Sequence, residues 1–175
     1  VTESHQSLAL VELAGKRLGI LGYVSTGRRM AQLGLALGME VLLCSRTRPP
    51  APEGCRWVEL ETLFRESDVV SLHCPLTKAT QGLVDEKLLG LMKPTAFLIN
   101  TARGGVVAEH DLAEALNNDV IAGAYLDVLQ QEPMNPDTPL RHAKNCVITP
   151  HIAWASVEAR TRLMDRIYGQ IREFL

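Results

Sequence analysis

The sequence contains no apolar run longer than a few residues, so nothing in it reads as a membrane span. Glu3, His5 and Gln6 interrupt its first residues, which argues against a signal peptide there. Its four cysteines, Cys44, Cys55, Cys74 and Cys146, lie far apart and form no CxxC pair. That argues against zinc and disulfide frameworks, so no metal is expected and a reducing cytoplasm fits best. Neither sign of charge is in large excess, since 18 Lys and Arg against 20 Asp and Glu give a net charge of only −2. Electrostatics therefore gives no reason to expect nucleic acid or an anionic membrane as a partner. Internal repeats and low-complexity tracts are missing too. What is present is 175 residues, 46% hydrophobic and 22% charged, an ordinary globular composition with room for a substantial core.

Six short, near-continuous apolar runs read as strands buried on both faces: 17–21, 41–44, 68–72, 96–99, 120–125 and 146–148. Between the first two, Met30, Leu33, Ala36 and Leu37 predict an amphipathic helix, with Gly38 as its C-terminal glycine. Leu112, Ala115 and Leu116 mark a second helix. Leu163, Met164, Ile167, Tyr168, Ile171 and Leu175 form the stripe of a third, with Ser156 as N-cap. Strands alternating with helices predict an α/β fold, a Rossmann-like doubly wound parallel sheet in three layers. Residues 1–14 fit no element and read as a lead-in segment, leaving 15–175 as the single domain.

After the first strand comes Gly22-Tyr23-Val24-Ser25-Thr26-Gly27, which opens a helix. That context suits a dinucleotide fingerprint of the form GxGxxG. Gly22 and Gly27 fill the first and third glycine positions, but Val24 stands where the second belongs and adds a branched side chain beside the pyrophosphate. Ser25 and Thr26 still offer backbone N–H groups at a helix N-terminus, where phosphate is favoured. The second strand ends in Cys44-Ser45-Arg46-Thr47-Arg48, without the acid that grips the adenosine ribose of NAD. Ser45 and Thr47 can bond a phosphate and Arg46 can pair with one, which favours NADP, with NAD as the alternative.

Charged residues also follow the later strands: Arg103 after the fourth, Asp127 and Glu132 after the fifth, His151 after the sixth. Ligands of open α/β sheets bind outside the carboxyl ends of the strands, and all four residues fall at that edge. Hydride transfer at a secondary alcohol needs this chemistry. A histidine exchanges the hydroxyl proton, a carboxylate orients it, and an arginine clamps a substrate carboxylate and polarises the carbonyl. His73 also sits at a strand end, whereas His5, His110 and His142 look like surface residues.

Three segments, 100–107, 126–133 and 149–152, resemble the signature segments of the D-isomer-specific 2-hydroxyacid dehydrogenases. Leu13-Ala14-Gly15-Lys16 and His73-Cys74-Pro75-Leu76-Thr77 are similar to that family as well. Residues 149–160 look most like its glycerate dehydrogenase or hydroxypyruvate reductase branch, although Ala153-Trp154 stands where many relatives have two glycines. The resemblance implies His151 as acid/base, Glu132 as its carboxylate partner and Arg103 as the substrate-binding group. It also implies that Ser25 and Thr26 contact pyrophosphate and that Ser45 and Arg46 face the ribose. By the same likeness Cys74, Thr101, Ala102 and Asp127 line the cofactor cleft, with Asp127 on the nicotinamide carboxamide.

Members of that family have two domains, so the expectation is a cofactor domain by itself, with the substrate domain absent. Its expected partners are a nicotinamide dinucleotide and a small 2-oxo or 2-hydroxy acid. Two alternatives stay open: a non-enzymatic binding module controlled by dinucleotide, as in the related C-terminal-binding-protein corepressors, and an isolated domain with little activity. The stripe from Leu163 to Leu175 leaves a homodimer open.

Overall fold

The computed structural model describes residues 11–174. The first ten residues of the expected lead-in, and Leu175, therefore lie outside the described residues. Seven strands form one sheet: β1 Arg17–Leu21, β2 Glu40–Cys44, β3 Cys55–Trp57, β4 Val69–Leu72, β5 Phe97–Asn100, β6 Gly123–Leu126 and β7 Cys146–Ile148. Their order is β3-β2-β1-β4-β5-β6-β7, and every pairing is parallel. The helices are α1 Ser25–Ala36, α2 Leu60–Glu66, α3 Glu86–Leu89, α4 Glu109–Asn117 and α5 Val157–Phe174.

The six expected strands are all present; 17–21 and 146–148 keep their bounds and the other four are shifted. The run 120–125 enters the sheet only at Gly123, because the Val120 N–H still donates to the Ala115 carbonyl as α4 ends. The seventh strand, β3, was not foreseen. It is a half-buried edge strand of three residues, and Trp57 Nε1 pins it to the proline turn by donating to the Pro49 carbonyl at 2.8 Å.

Alternation along the strands fills two cores. Leu18, Ile20, Val41 and Leu43 meet Ala31 and Met39 on one face of the sheet. Leu42, Val70, Leu72 and Leu98 meet Leu63, Phe64, Leu112 and Leu116 in a larger cluster. Side chains of successive strand residues point to opposite faces, so a strand covered on both sides must be apolar throughout.

The contact face of α1 departs from the expected stripe. Gly27, Ala31 and Gly34 are its buried residues, whereas Leu33 and Leu37 are 49% and 53% exposed. A Cβ on Gly34 would lie 2.7 Å from Leu18 Cδ2, and one on Gly27 only 2.1 Å from the Gly22 carbonyl oxygen. The helix backbone is thus pressed against β1 through residues too small to signal in a hydrophobic pattern. Gly38 does take the left-handed conformation (φ +75°) expected of a C-terminal glycine. Leu112, Ala115 and Leu116 are buried as read. The N-cap of α5 is also as read, since Ser156 Oγ accepts from the Ala159 N–H at 3.2 Å. Its stripe, however, packs on nothing among the described residues, and no residue of α5 is buried.

Strands β2 and β3 lie to one side of β1 and the others to its opposite side, so the winding reverses between β1 and β4. Such a reversal opens a crevice at the carboxyl ends of the two central strands. Among the described residues no helix is long and apolar enough to cross a membrane.

Candidate active site

At that crevice lies a cleft of about 970 Å³, walled by the β1–α1 turn, the end of β2 and the segment after β4. Gly22 makes the turn at φ +98°, and a Cβ there would lie 2.5 Å from the Cys74 nitrogen. Glycine is therefore required on two counts, conformation and space. Gly27 is required by its close approach to Gly22. At Val24 the chain imposes no such demand: the backbone is extended (φ −92°, ψ −171°) and the residue is 48% exposed on the cleft wall. Any conflict there is with a ligand, not with the fold.

Val24 gives the N-terminus of α1 no side-chain cap, and Ser25 at the helix start lines the cleft, whereas Thr26 is not among its lining residues. A helix start of this kind favours an anion. Ser45, Arg46 and Thr47 line the same cleft from β2. Arg48 is paired with Glu59 at 2.9 Å, but Arg46 makes no ion pair among the described residues. Arg28, which sequence reasoning missed, stacks 5.5 Å from the centre of the Tyr23 ring on this wall. Cys74 lines the cleft, and burial pushes its thiol pKa up, which favours the neutral thiol. His73 is turned to Ser71, with Nε2 at 2.9 Å from Oγ, and burial lowers its pKa.

A second cleft, about 600 Å³, brings Arg103, Glu132 and His151 together from the ends of three strands. His151 Nδ1 lies 2.6 Å from Glu132 Oε2, while Glu132 Oε1 accepts from the Leu129 N–H at 3.0 Å. The hydrogen bond with His151, then that from Leu129, holds the Glu132 carboxyl below its ordinary range. With Nδ1 engaged, the other ring nitrogen is the one left for a substrate. His151 itself sits at φ +55°, a left-handed backbone that side chains rarely adopt, and its carbonyl accepts from Trp154 Nε1 at 2.9 Å.

Asp127 explains how that loop is held. It is 5% exposed, and its carboxylate accepts from Thr149 Oγ1, from the Ile152 N–H at 2.9 Å and from the Ala153 N–H at 2.8 Å. These donors bracket His151 on both sides, a duty that the sequence did not suggest. Thr101 stands exposed after β5, on a shallow apolar hollow with Tyr125, Val147 and Ile152 rather than in the large cleft. The Ala102 carbonyl accepts from Arg103 Nη1 at 2.7 Å.

Two further residues escaped the sequence reading. Gly104 follows Arg103, and a Cβ there would fall 1.9 Å from the Leu129 carbonyl carbon, so the arginine turn and the glutamate loop touch backbone to backbone. Glu109 opens α4 and accepts from the Gln130 N–H at 2.6 Å and from Thr138 Oγ1 at 2.9 Å. Glycine and glutamate at these positions carry no pattern; only the packed strands bring their partners near.

Sheet order, glycine turn and cleft define the class: a Rossmann-type dinucleotide-binding domain. Residues 2–153 match the family described as D-isomer specific 2-hydroxyacid dehydrogenase, NAD binding domain, and the chain belongs to that family. It is 46% identical over 168 residues to a hydroxypyruvate reductase of Blautia hydrogenotrophica, covering 95% of this chain and 52% of that protein. With a glyoxylate reductase of Aeropyrum pernix it shares 47% identity over 156 residues, 87% of this chain and 47% of the relative. Among solved structures, an acyclic imino acid reductase in complex with NADPH and D-Arg superposes with a TM-score of 0.91 at 33% identity, covering 99% of this chain and 55% of the other. A D-lactate dehydrogenase from Aquifex aeolicus, complexed with NAD and lactic acid, gives 0.87 at 33% identity, with 99% and 57% covered. The chain spans about half the length of the curated relatives it matches.

Proposed function

We propose that this domain serves an oxidoreductase that moves hydride between a nicotinamide dinucleotide and a small D-2-hydroxy acid or 2-oxo acid, of the glycerate, hydroxypyruvate or glyoxylate type. The observation that carries this reading is the His151–Glu132 pair facing Arg103 across one cleft. The larger cleft supports a cofactor site: its helix start has no side-chain cap, and Ser25, Ser45 and Arg46 line it, while Thr26, also expected at the pyrophosphate, is not among its lining residues. When bound, the dinucleotide supplies or accepts the hydride.

The rest is done by this chain's own residues. Arg103 pairs with the substrate carboxylate and draws electron density from the adjacent carbonyl. Protonated His151 gives its proton to the carbonyl oxygen as that oxygen becomes a hydroxyl, and takes it back in the reverse direction. Glu132 keeps the ring in place and balances its charge. In this reading residues 15–175 form the dinucleotide-binding domain, 1–14 lead into it, and a substrate domain outside this chain closes the opposite wall. That wall positions substrate and excludes water, so the domain alone should turn over 2-oxo acids very slowly. The thiols, unpaired among the described residues, support a cytoplasmic setting, and the uncovered stripe on α5 supports pairing with another domain or a second copy.

Reduction of hydroxypyruvate or glyoxylate by the full-length protein tests this function. Dinucleotide binding without turnover would favour a purely regulatory module instead. We further propose that NADPH binds more tightly than NADH. A charge-assisted contact between Arg46 and the 2′-phosphate contributes about 1.5–3 kcal/mol, roughly tenfold to a hundredfold in affinity. Arg46→Ala should erase that margin in a calorimetric titration while leaving the fold intact; equal affinities in the parent protein would refute it. Val24→Gly should tighten dinucleotide binding by about 1 kcal/mol, roughly fivefold, since it clears the cleft wall and glycine is well accepted at an N-cap. Unchanged affinity would show that the pyrophosphate rides clear of this position.

A further inference from the structure

Arg103 reaches its cleft from an exposed turn, and among the described residues its side chain bonds only to the carbonyl of its own neighbour, Ala102. Among the described residues no hydrogen bond or ion pair beyond the turn steers the guanidinium, so its direction depends on the backbone of residues 102 and 103. That backbone is set by Asn100, the last residue of β5, which is 1% exposed. Its Oδ1 accepts from the Ala102 N–H and its Nδ2 donates to the Arg103 carbonyl, both at 3.0 Å. One carboxamide thus grips the turn on both sides of the Ala102–Arg103 peptide. The Asn100 carbonyl in turn accepts from the Asp127 N–H at 2.9 Å, which joins this grip to the residue that brackets His151.

We propose that Asn100 is a positioning residue for Arg103, holding the turn that aims the guanidinium at the substrate carboxylate. The proposal rests on the oxidoreductase reading above. The carboxamide of asparagine meets both needs with two separate atoms on a short side chain, an oxygen accepting from one N–H and a nitrogen donating to one carbonyl. Aspartate keeps the acceptor but turns a second oxygen on the Arg103 carbonyl; alanine loses both bonds. A backbone rotation of about 15° swings the tip of so long a side chain by more than about 1 Å, and misplacement on that scale costs roughly a hundredfold in rate.

The test compares Asn100→Ala, Asn100→Asp and Arg103→Ala, singly and combined, in the full-length protein. Both Asn100 variants should lower kcat/KM for a 2-oxo acid by roughly tenfold to a hundredfold. Most of that loss should appear as a higher KM, with NADPH affinity unchanged. The preference for the 2-oxo acid over its uncharged amide should shrink with it. In an Arg103→Ala background the Asn100 substitutions should cost almost nothing more. Additive losses, or an acid-over-amide preference that survives, would overturn the proposal. Amide exchange gives an arm that needs no activity: the Ala102 N–H should exchange faster in Asn100→Ala, which removes its acceptor, and much less so in Asn100→Asp, while the Asp127 N–H, which bonds to backbone, should not change in either. If the parent protein reduces no 2-oxo acid, the functional reading fails alone, and an unchanged Ala102 exchange rate would then refute the positioning role by itself. Should alanine prevent folding, the near-isosteric aspartate variant decides the matter.

Discussion

His151→Gln is expected to lower kcat/KM for 2-oxo acid reduction by about 10²–10⁴-fold, the range for loss of a positioned acid/base group. Glutamine keeps much of the size and can still bond to Glu132, which lies 2.6 Å from the imidazole. What it cannot do is deliver a proton to the developing alkoxide. The dissociation constant for NADPH should hold, because His151 lies in the cleft with Arg103 and not in the one bounded by the glycine turn. Single-turnover measurements separate the two effects. A variant that retained parental activity would move the acid/base role elsewhere and take with it the observation on which the function rests.

Asp127→Ala should have the largest effect on stability. Removing this buried carboxylate strands the Thr149 hydroxyl and the N–H groups of Ile152 and Ala153. A buried donor left without a partner costs about 1–3 kcal/mol, but Thr149, Ile152 and Ala153 are themselves exposed and water can take part of the carboxylate's place, so the loop around His151 should melt locally before the whole domain loses stability. Denaturant unfolding measures the global part, and amide exchange at Ile152 and Ala153 the local one. The same contact predicts a pH dependence. Burial works against ionisation of Asp127, yet the bonds from Thr149, Ala153 and Ile152 prevail and hold its carboxyl below the ordinary range. Glu132 is lowered as well. A carboxyl lowered on folding stabilises the native state above its unfolded pKa, and that contribution is lost as pH falls through the folded value. The loop should therefore hold at pH 5 and loosen below about pH 4. An Asp127→Asn variant should show a flatter profile over that range; an identical acid transition in both proteins would exclude Asp127 as its source.

The strands of the central sheet were legible because burial on two faces demands continuous apolar runs, as at Leu18–Leu21 and Val41–Cys44. β3 was not, because its edge position leaves Arg56 exposed and only Cys55 and Trp57 half-buried. The face of α1 was misjudged for a related reason: Gly27, Ala31 and Gly34 make their contact by having little side chain. In the candidate site, Arg103, Glu132 and His151 stood out as charges at strand ends. Asn100, Gly104 and Glu109 did not, since their partners are chosen by backbone geometry. Gly104 meets Leu129, and Glu109 meets Gln130 and Thr138, only once β5 and β6 lie side by side.

The small-residue seam between α1 and β1 bears on the entropy of ligand capture. Glycine and alanine have no side-chain torsions to settle, and at Gly27 the helix backbone lies so close to the turn that an added Cβ would fall 2.1 Å from the Gly22 oxygen. The first turn of α1 is thereby registered against the sheet before any phosphate arrives. On the proposed reading, a dinucleotide that seats its phosphates there would spend little of its binding energy on ordering the protein.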